Sequence, residues 1–264
     1  MLRLFKWIRR RFARPALPLS AASLSACGLV RRDNQDHLFV RRTAKAYCVA
    51  DGMGGGEGGA EASRIVCAEL ASAAVGNKDF ADRVRGVAEA IHASNAKIRD
   101  YAASAGYRQM ATTVAVLVVD PESCRVGVIG HVGDSRVYRL RKGSLTRLTH
   151  DHTLAGELGR SAAANAIAGD MGGRRHVIAH MLTRAVGLEK EVQPDWRKID
   201  IKSGDWFLLC SDGVYDMVSE RKIESALAAG GAPSDVVARL EAFVVAAGAE
   251  DNYSMVVIKA GGQA

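Results

Sequence analysis

Five aspartates stand where apolar runs of this chain begin or end: Asp36, Asp51, Asp134, Asp212 and Asp251. A carboxylate at the end of a strand is held in position by the strand behind it. Several carboxylates that converge on one point repel one another unless cations lie between them. Oxygen ligands select hard cations such as Mg2+ or Mn2+. Turn chemistry explains a single Asp-Gly pair, but it explains five such positions poorly, so the pattern predicts a metal-binding edge of a sheet.

The formal net charge of +7 lies almost wholly at the N-terminus, where residues 1–18 carry six cations and no acid. The rest of the chain is therefore near neutral, which argues against a basic nucleic-acid-binding face. Hydrophobic residues make up 48% and charged residues 25%, a composition typical of a globular protein. No apolar run approaches the roughly 20 residues that a membrane-spanning helix needs.

The cysteines are odd in number and form no Cys-x-x-Cys pair. They are Cys27, Cys48, Cys67, Cys124 and Cys210. Most lie within apolar stretches, so we expect reduced thiols in the core of a cytoplasmic protein. No arginine follows any of them at the Cys-x5-Arg spacing, so the sequence does not support a cysteine nucleophile of that kind.

The N-terminal tail, residues 1–18, combines its cations with an apolar arc on a helical wheel. The arc consists of Met1, Leu4, Phe5, Ile8 and Phe12. Such a segment can attach to an anionic membrane surface through residues 1–14. For a cytoplasmic protein, this surface is the inner face of the membrane. A frayed, solvated tail is the alternative. A third interpretation is a lipoprotein cleavage site at Leu24-Ser25-Ala26-Cys27, but the stretch before it is weakly apolar and also fits a first strand.

Hydrophobic periodicity predicts one α+β layered domain over residues 19–264. The spacing of the strands is that of antiparallel hairpins rather than of crossover helices. Residues 150–190 are irregular and predict a mobile surface segment. The predicted strands lie near 19–26, 37–42, 44–50, 112–119, 124–131, 136–141, 206–210 and 253–259, and the predicted helices near 59–75, 79–104, 219–229 and 234–247.

Eight short motifs follow one another along the chain. They are GLVRRDNQD (28–36), VADGMGG (49–55), MATTVAVLVV (110–119), HVGDSRVYRL (131–140), LTHDH (148–152), LTRAVG (182–187), LLCSDGVYD (208–216) and EDNYSMVVI (250–258). In this order they resemble the metal-dependent PPM/PP2C family of protein serine/threonine phosphatases, in its compact bacterial form. The resemblance covers nearly all of the chain after residue 19.

The resemblance implies a four-layer α-β-β-α sandwich, in which two antiparallel sheets are flanked by antiparallel helix pairs. It also implies a site for two Mn2+ or Mg2+ ions. Asp51 matches the family's bridging aspartate, with the Gly52 carbonyl as an additional ligand. Asp212 and Asp251 match the other ligands of the first metal. Asp134 matches the aspartate that, together with the Asp212 position, can hold a third ion.

Two further residues receive roles from the resemblance. Arg31 matches the arginine that binds the substrate phosphate, and Asp36 matches the acid that hydrogen-bonds metal-bound water. The chain departs from the family at Gln35, where glutamate is frequent, and we expect altered metal affinity without loss of activity. It departs from eukaryotic members at Met53, where they place a histidine as proposed general acid, so leaving-group protonation must come from elsewhere.

The resemblance implies hydrolysis of phosphoserine and phosphothreonine in proteins, by a hydroxide that bridges two divalent ions and attacks phosphorus in line. Arg31 would clamp the phosphate oxygens and stabilise the developing charge. Phosphorylated proteins and a cognate serine/threonine kinase are the implied partners, and we expect a monomer that binds no nucleic acid.

Three rival interpretations are weaker. Gly54-x-Gly56-x-x-Gly59 with Asp79 satisfies the dinucleotide-binding pattern, but antiparallel hairpins do not suit that fold. A non-catalytic scaffold with the same fold would show lost metal ligands, whereas all are present here. His176 and His180 lack the glutamate of a zinc His-Glu-x-x-His motif.

Overall fold

A computed structural model describes residues 15–54, 57–75, 79–159 and 181–262 of the chain. The predictions for the tail at residues 1–14 and for most of the segment 150–190 lie outside these described residues. His176 and His180 lie outside them as well.

The predicted strands and helices are present in the predicted order, with further short elements between them. The strands are β1 (Leu19–Ala26), β2 (Asp36–Arg41), β3 (Ala46–Met53), β4 (Ala111–Thr112), β5 (Val114–Val119), β6 (Val126–Val132), β7 (Arg136–Arg141), β8 (Ser144–Arg147), β9 (Asp195–Asp200), β10 (Trp206–Cys210) and β11 (Tyr253–Ala260). The helices are α1 (Glu57–Ala73), α2 (Phe80–Ala105), α3 (Leu154–Gly159), α4 (Asp212–Tyr215), α5 (Glu220–Ala228) and α6 (Pro233–Ala246).

Two sheets form the centre of the molecule. Sheet I has the order β1-β11-β10-β7-β8, and sheet II has the order β2-β3-β5-β6-β9, with β4 paired to β3. Every strand pair in both sheets is antiparallel. Helices α1 and α2 pack on sheet II, and α5 and α6 pack on sheet I. The predicted four-layer α-β-β-α sandwich is therefore confirmed.

The central strands are continuous apolar runs in the sequence because each sheet is covered on one face by helices and on the other by the second sheet. In β3, Cys48 packs toward α1 and α2, whereas Tyr47 and Val49 pack between the sheets. In β10, Phe207 lies between the sheets and Leu208 lies against α5 and α6. The alternation of side chains along a strand thus divides the apolar residues among three buried layers.

In sheet I, the ends of β1 and β10 lie on either side of the start of β11, the strand between them. The last residue of β10, Cys210, lies opposite Met255 near the start of β11. The last residue of β1, Ala26, lies opposite Tyr253, the first residue of β11. The segments that follow β1 and β10 and the segment that precedes β11 therefore lie side by side.

Two strands were missed by the sequence pattern, and both are edge strands. β8 ends sheet I and exposes alternate residues, and β9 ends sheet II with the charged sequence DWRKID. Charged side chains on edge strands prevent pairing with other chains, but they also remove the apolar run that marks a strand in the sequence.

The five cysteines are free thiols, and four of them are buried, as expected from the sequence. Among the described helices, none combines the length and apolar character that a bilayer crossing requires.

Candidate active site

Strand register brings the five aspartates of the sequence analysis to one edge. Asp36 begins β2 directly opposite Asp51 in β3, and Asp134 follows β6, the neighbour of β5. Asp212 follows β10, and Asp251 precedes β11, which pairs with β10. Asp51 lies within electrostatic range of Asp36, Asp134 and Asp212, and Asp212 lies within range of Asp251.

Burial raises the pKa of four of these carboxyls, and mutual repulsion adds to the effect. The pKa of Asp36 is raised to about 7, first by burial and also by the charge of Asp212. The pKa of Asp134 is raised to about 8 by burial and then by Asp212 and Asp151. Burial likewise raises the pKa of Asp51 and of Asp212. A cluster of this kind is stabilised by cations placed among the carboxylates.

The donor atoms fit hard divalent cations. The cluster offers carboxylate oxygens, and Oδ1 of Asp36 is buried without a hydrogen-bond partner in the described part of the chain. The other oxygen of Asp36 accepts a hydrogen bond of 2.7 Å from Ser211. The backbone at Gly52, whose carbonyl is a candidate ligand, is closely packed. A Cβ at this position would collide with the carbonyl of Gly59. Oxygen donors of this type suit Mg2+ or Mn2+.

Hydroxyl groups fix the backbone beside the carboxylates. Thr112 Oγ1 donates to the carbonyl of Asp51 at 2.9 Å, and the amide of Asp51 donates to Thr113 Oγ1 at 2.9 Å. The Tyr215 hydroxyl donates to the carbonyl of Asp134 at 3.1 Å. The Arg136 guanidinium lies 3.5 Å over the Tyr215 ring. These contacts hold the strand ends in one geometry.

Arg31, to which the resemblance assigns phosphate binding, lies beside the carboxylate cluster. Its Nη2 donates to Oδ2 of Asp251 at 2.7 Å, and this hydrogen bond is the main reason that the pKa of Arg31 is raised. The side chain is 54% exposed. The guanidinium is therefore charged, anchored at the site and still accessible to a ligand from solvent.

Asn252 is a site residue whose role the sequence analysis missed. Its Nδ2 donates to the carbonyl of Cys27 at 2.8 Å and to that of Asp33 at 3.0 Å. Its Oδ1 accepts from the backbone amide of Gln35 at 2.9 Å. One buried amide thus ties the segment that carries Arg31 to the residue after Asp251. The only sequence signal was the Asp-Asn pair before the last strand, which indicates a turn as readily as a clamp.

Two histidines hold the residue before Asp134. The carbonyl of Gly133 can only accept, so His131 Nε2 carries a proton and donates to it at 2.8 Å. The amide of Gly133 donates to Nδ1 of His152 at 3.1 Å. Burial lowers the pKa of both histidines, that of His131 to about 3, so both rings are neutral.

The same histidines lie near Asp195, and ligand atoms of the three side chains are within 4.8 Å of one another. Because Nδ1 of neutral His152 accepts a hydrogen bond, the proton lies on Nε2, which faces Asp195 at 3.3 Å. A protonated nitrogen cannot bind a metal. We therefore interpret the cluster as a support for the Gly133–Asp134 turn and not as a zinc site.

The antiparallel topology excludes the dinucleotide-binding alternative. The strand before the glycine-rich loop, β3, pairs antiparallel with both β2 and β5. A dinucleotide-binding loop requires a parallel βαβ unit. The glycines at Gly54 and Gly59 instead allow close backbone approach, since a Cβ at Gly54 would collide with the carbonyl of Gln109.

The raised carboxyl pKa values predict that metal-free protein loses stability between pH 6.5 and pH 8. A folded-state pKa above the unfolded value of 3.8 stabilises the fold at low pH, and this contribution is lost as pH rises through about 7 for Asp36 and about 8 for Asp134. Each group changes the unfolding free energy by at most about 1.4 kcal/mol per pH unit. Thermal melting in EDTA measures the decline, and added Mn2+ should reverse it.

The histidines oppose the decline only weakly in this window, because their lowered folded-state pKa values add stability as pH rises to the unfolded value of about 6.5 and little above it. Asp51→Asn should flatten the decline, whereas Asp100→Asn, an exposed carboxylate on α2, should leave it unchanged. Melting temperatures of metal-free protein that stay level from pH 6.5 to pH 8 would contradict the repulsion among these carboxylates.

Comparison with known proteins agrees with the fold and identifies the family. The family model described as Protein phosphatase 2C matches residues 28–244. The protein phosphatase PhpP of Streptococcus pneumoniae is 30% identical over 241 residues, which are 89% of this chain and 95% of PhpP. The chain therefore belongs to the protein phosphatase 2C family of metal-dependent protein serine/threonine phosphatases.

Two solved structures lie close to this fold. PppA, described as a key regulatory component of T6SS in Pseudomonas aeruginosa, superimposes with a TM-score of 0.81 at 28% identity, covering 92% of this chain and 97% of PppA. The catalytic domain of the serine/threonine protein phosphatase PstP, in complex with two manganese ions, gives a TM-score of 0.76 at 30% identity, covering 94% and 100%. Full-length PstP of Mycobacterium tuberculosis is longer, and the chain matches 46% of it.

Proposed function

We propose that the carboxylate edge hydrolyses phosphoserine and phosphothreonine in proteins with two Mn2+ or Mg2+ ions held by Asp51, the Gly52 carbonyl, Asp212 and Asp251. Asp134 would contribute to a third site with Asp212. The observation that carries the proposal is the set of buried carboxylates whose pKa values are raised by burial and by one another. The bound ions would supply an activated water as nucleophile and would offset the phosphate charge.

The chain's own side chains would orient the reactants. Arg31, anchored by Asp251 and exposed to solvent, would bind phosphate oxygens by charge-assisted hydrogen bonds. Asp36 would accept a hydrogen bond from the attacking water through Oδ1, because Ser211 already occupies its other oxygen. With Arg31 on the phosphate and Asp36 on the water, the two reactants are held in one orientation, which lowers the entropic part of the barrier.

Water is a better candidate nucleophile than a side chain of this site. Burial raises the pKa of Cys48 and Cys210, so neither is a thiolate near neutral pH. The Ser211 hydroxyl is buried and donates a hydrogen bond to Asp36. A covalent phosphoenzyme therefore has no suitable acceptor among these residues.

An assay with phosphothreonine peptides and p-nitrophenyl phosphate tests the proposal. Purified protein should hydrolyse both with Mn2+ or Mg2+ and should stop when EDTA is added. Robust activity after complete metal removal would contradict the role of the ions. Absence of activity at every metal concentration would instead favour a non-catalytic scaffold with this fold.

Arg31→Ala is expected to raise KM for a phosphopeptide about 10- to 100-fold with a smaller change in kcat. The reason is that the guanidinium contacts phosphate that is already present in the ground state, and a hydrogen bond to a charged group contributes about 1.5–3 kcal/mol. Steady-state kinetics measures the effect, and Arg221→Ala, at an exposed arginine on α5, is the matched control. A fall in kcat at unchanged KM would assign Arg31 to the transition state.

A phosphatase acting on phosphoproteins opposes a serine/threonine kinase, and we propose such a kinase as the functional counterpart of a monomeric chain.

The basic tail, residues 1–14, lies outside the described residues, so its attachment to an anionic membrane stays a prediction. Sedimentation with anionic liposomes should show salt-sensitive binding of the full chain and none for a chain that starts at residue 19.

A further inference from the structure

The segment between β1 and β2, residues 27–35, here called the Arg31 loop, is held rigidly. Gly28 has a φ of 78° and lies so close to the carbonyl of Asp251 that a Cβ would collide with it. The amide of Leu29 donates to the carbonyl of Ala249 at 2.8 Å. Asn252 binds the loop from the same side. The backbone of the loop therefore has one shape, set by the residues around Asp251.

This rigid loop presents two large apolar side chains to solvent. Leu29 is 70% exposed and Val30 is 67% exposed, which makes them the two most exposed large hydrophobic residues in the described part of the chain. Single exposed apolar residues are common on protein surfaces. Two consecutive ones on a fixed loop, directly before the arginine of the site, form a small preorganised surface that we call the Leu29–Val30 patch.

We propose that the Leu29–Val30 patch binds an apolar side chain next to the phosphorylated residue of a protein substrate. The inference rests on the proposed function, because it takes Arg31 as the residue that binds the phosphate. Consecutive Cα atoms are 3.8 Å apart in any chain. Val30 and Leu29 are one and two positions from Arg31, so their Cα atoms lie within about 3.8 Å and 7.6 Å of its Cα, a range that one or two residues of a substrate chain can span. The patch and the arginine can be contacted by one short extended peptide.

Charge argues for this occupant over two others. The exposed loop carries the consecutive cations Arg31 and Arg32 beside a single exposed acid, Asp33, and this excess of positive charge attracts a phosphorylated peptide. The same cations repel the chain's own N-terminal segment, which is itself strongly basic. A second copy of the chain would bring a second Arg31–Arg32 pair toward the first in a symmetric contact. The patch is therefore assigned to substrate.

A paired-peptide assay tests this assignment. Two phosphothreonine peptides differ only in the residues that flank the phosphothreonine, leucine in one and serine in the other, and p-nitrophenyl phosphate serves as a substrate without flanking residues. We expect the native protein to favour the leucine peptide about 10-fold in kcat/KM, a ratio within the range for one apolar contact. The double variant Leu29→Ser, Val30→Ser should lose this preference and retain activity on p-nitrophenyl phosphate. Val245→Ser, an exposed apolar position on α6, should change neither.

The possible outcomes distinguish failure of the Leu29–Val30 assignment from failure of the proposed phosphatase function. Hydrolysis of p-nitrophenyl phosphate without any peptide preference, or a preference that persists in the double variant, would overturn the Leu29–Val30 assignment and leave the phosphatase function standing. A proportional loss on all three substrates would also overturn it, since the residues would then support the loop alone. A native dimer that dissociates in the double variant, with peptide preference unchanged, would assign the patch to a second copy. No metal-dependent hydrolysis of any substrate would overturn both proposals.

Discussion

Asp212→Ala is expected to lower metal-dependent phosphatase activity by about 1,000-fold or more. Asp212 lies at the centre of the cluster, where it interacts electrostatically with Asp51, Asp134 and Asp251. Removal of this proposed ligand of a two-metal site would forfeit charge stabilisation of several kcal/mol in the transition state. Activity on p-nitrophenyl phosphate across a Mn2+ titration measures the loss, and high Mn2+ should not restore the native rate.

The isosteric variant Asp212→Asn adds a signature that general damage to the fold would not produce. Since burial and the charge of Asp251 raise the pKa of Asp212, its ionised form is disfavoured in metal-free protein near neutral pH. Asp212→Asn should therefore be inactive and yet melt at a higher temperature than the native chain in EDTA. Asp100→Asn, on an exposed part of α2, should alter neither property. A variant that is both inactive and less stable in EDTA would argue against repulsion at this site.

Asn252→Asp is expected to lower kcat/KM for a phosphopeptide about 100-fold, because small displacements of a binding group have effects of this size. In the native chain, Asn252 donates hydrogen bonds to the carbonyls of Cys27 and Asp33. The substitution replaces this donor with a carboxylate oxygen, which repels both carbonyls. The Arg31 loop should then shift away from Asp251. We also expect a loss of about 2–4 kcal/mol in unfolding free energy, typical of a disrupted buried hydrogen-bond network.

The chain contains a matched control for this variant. Asn95 is also buried, and its Nδ2 donates to the carbonyls of Glu189 and Lys190, while its Oδ1 accepts from the amide of Gly187. Asn95→Asp should reduce the melting temperature by a similar amount and leave KM within about twofold of the native value. Equal kinetic defects in both variants would show that Asn252 acts on stability alone.

Most of the fold could be predicted because its central strands are buried on both faces. Runs such as Val114–Val119 and Trp206–Cys210 are apolar throughout, and turn residues separate them. The edge strands β8 and β9 could not be predicted, because half of their side chains face solvent and carry charge or hydroxyl groups. Their strand conformation depends on neighbours, β7 for Ser144–Arg147 and β6 for Asp195–Asp200.

The sequence could predict some residues of the site but not others. Each strand-end aspartate stands in a short motif, so the candidate ligands could be proposed from the motifs in their order along the chain. The supports could not, because they come from distant parts of the chain. Ser211 binds Asp36 from 175 positions away, and Asn252 binds Cys27 from 225 positions away. Nothing local to a serine or an asparagine in the sequence indicates which carboxylate or carbonyl it will meet.

The sequence alone determined which residues carry charge and where strands end, because strand propensity, apolar runs and turn residues act over a few positions. Tertiary structure decided what those residues became. Antiparallel register placed Asp36 opposite Asp51, and packing of the two sheets removed water from the carboxylates, which raised their pKa values. The same packing fixed the Arg31 loop against Asp251 and left Leu29 in solvent. Desolvation and long-range hydrogen bonds depend on distances between segments that are remote in sequence, and only the folded chain sets those distances.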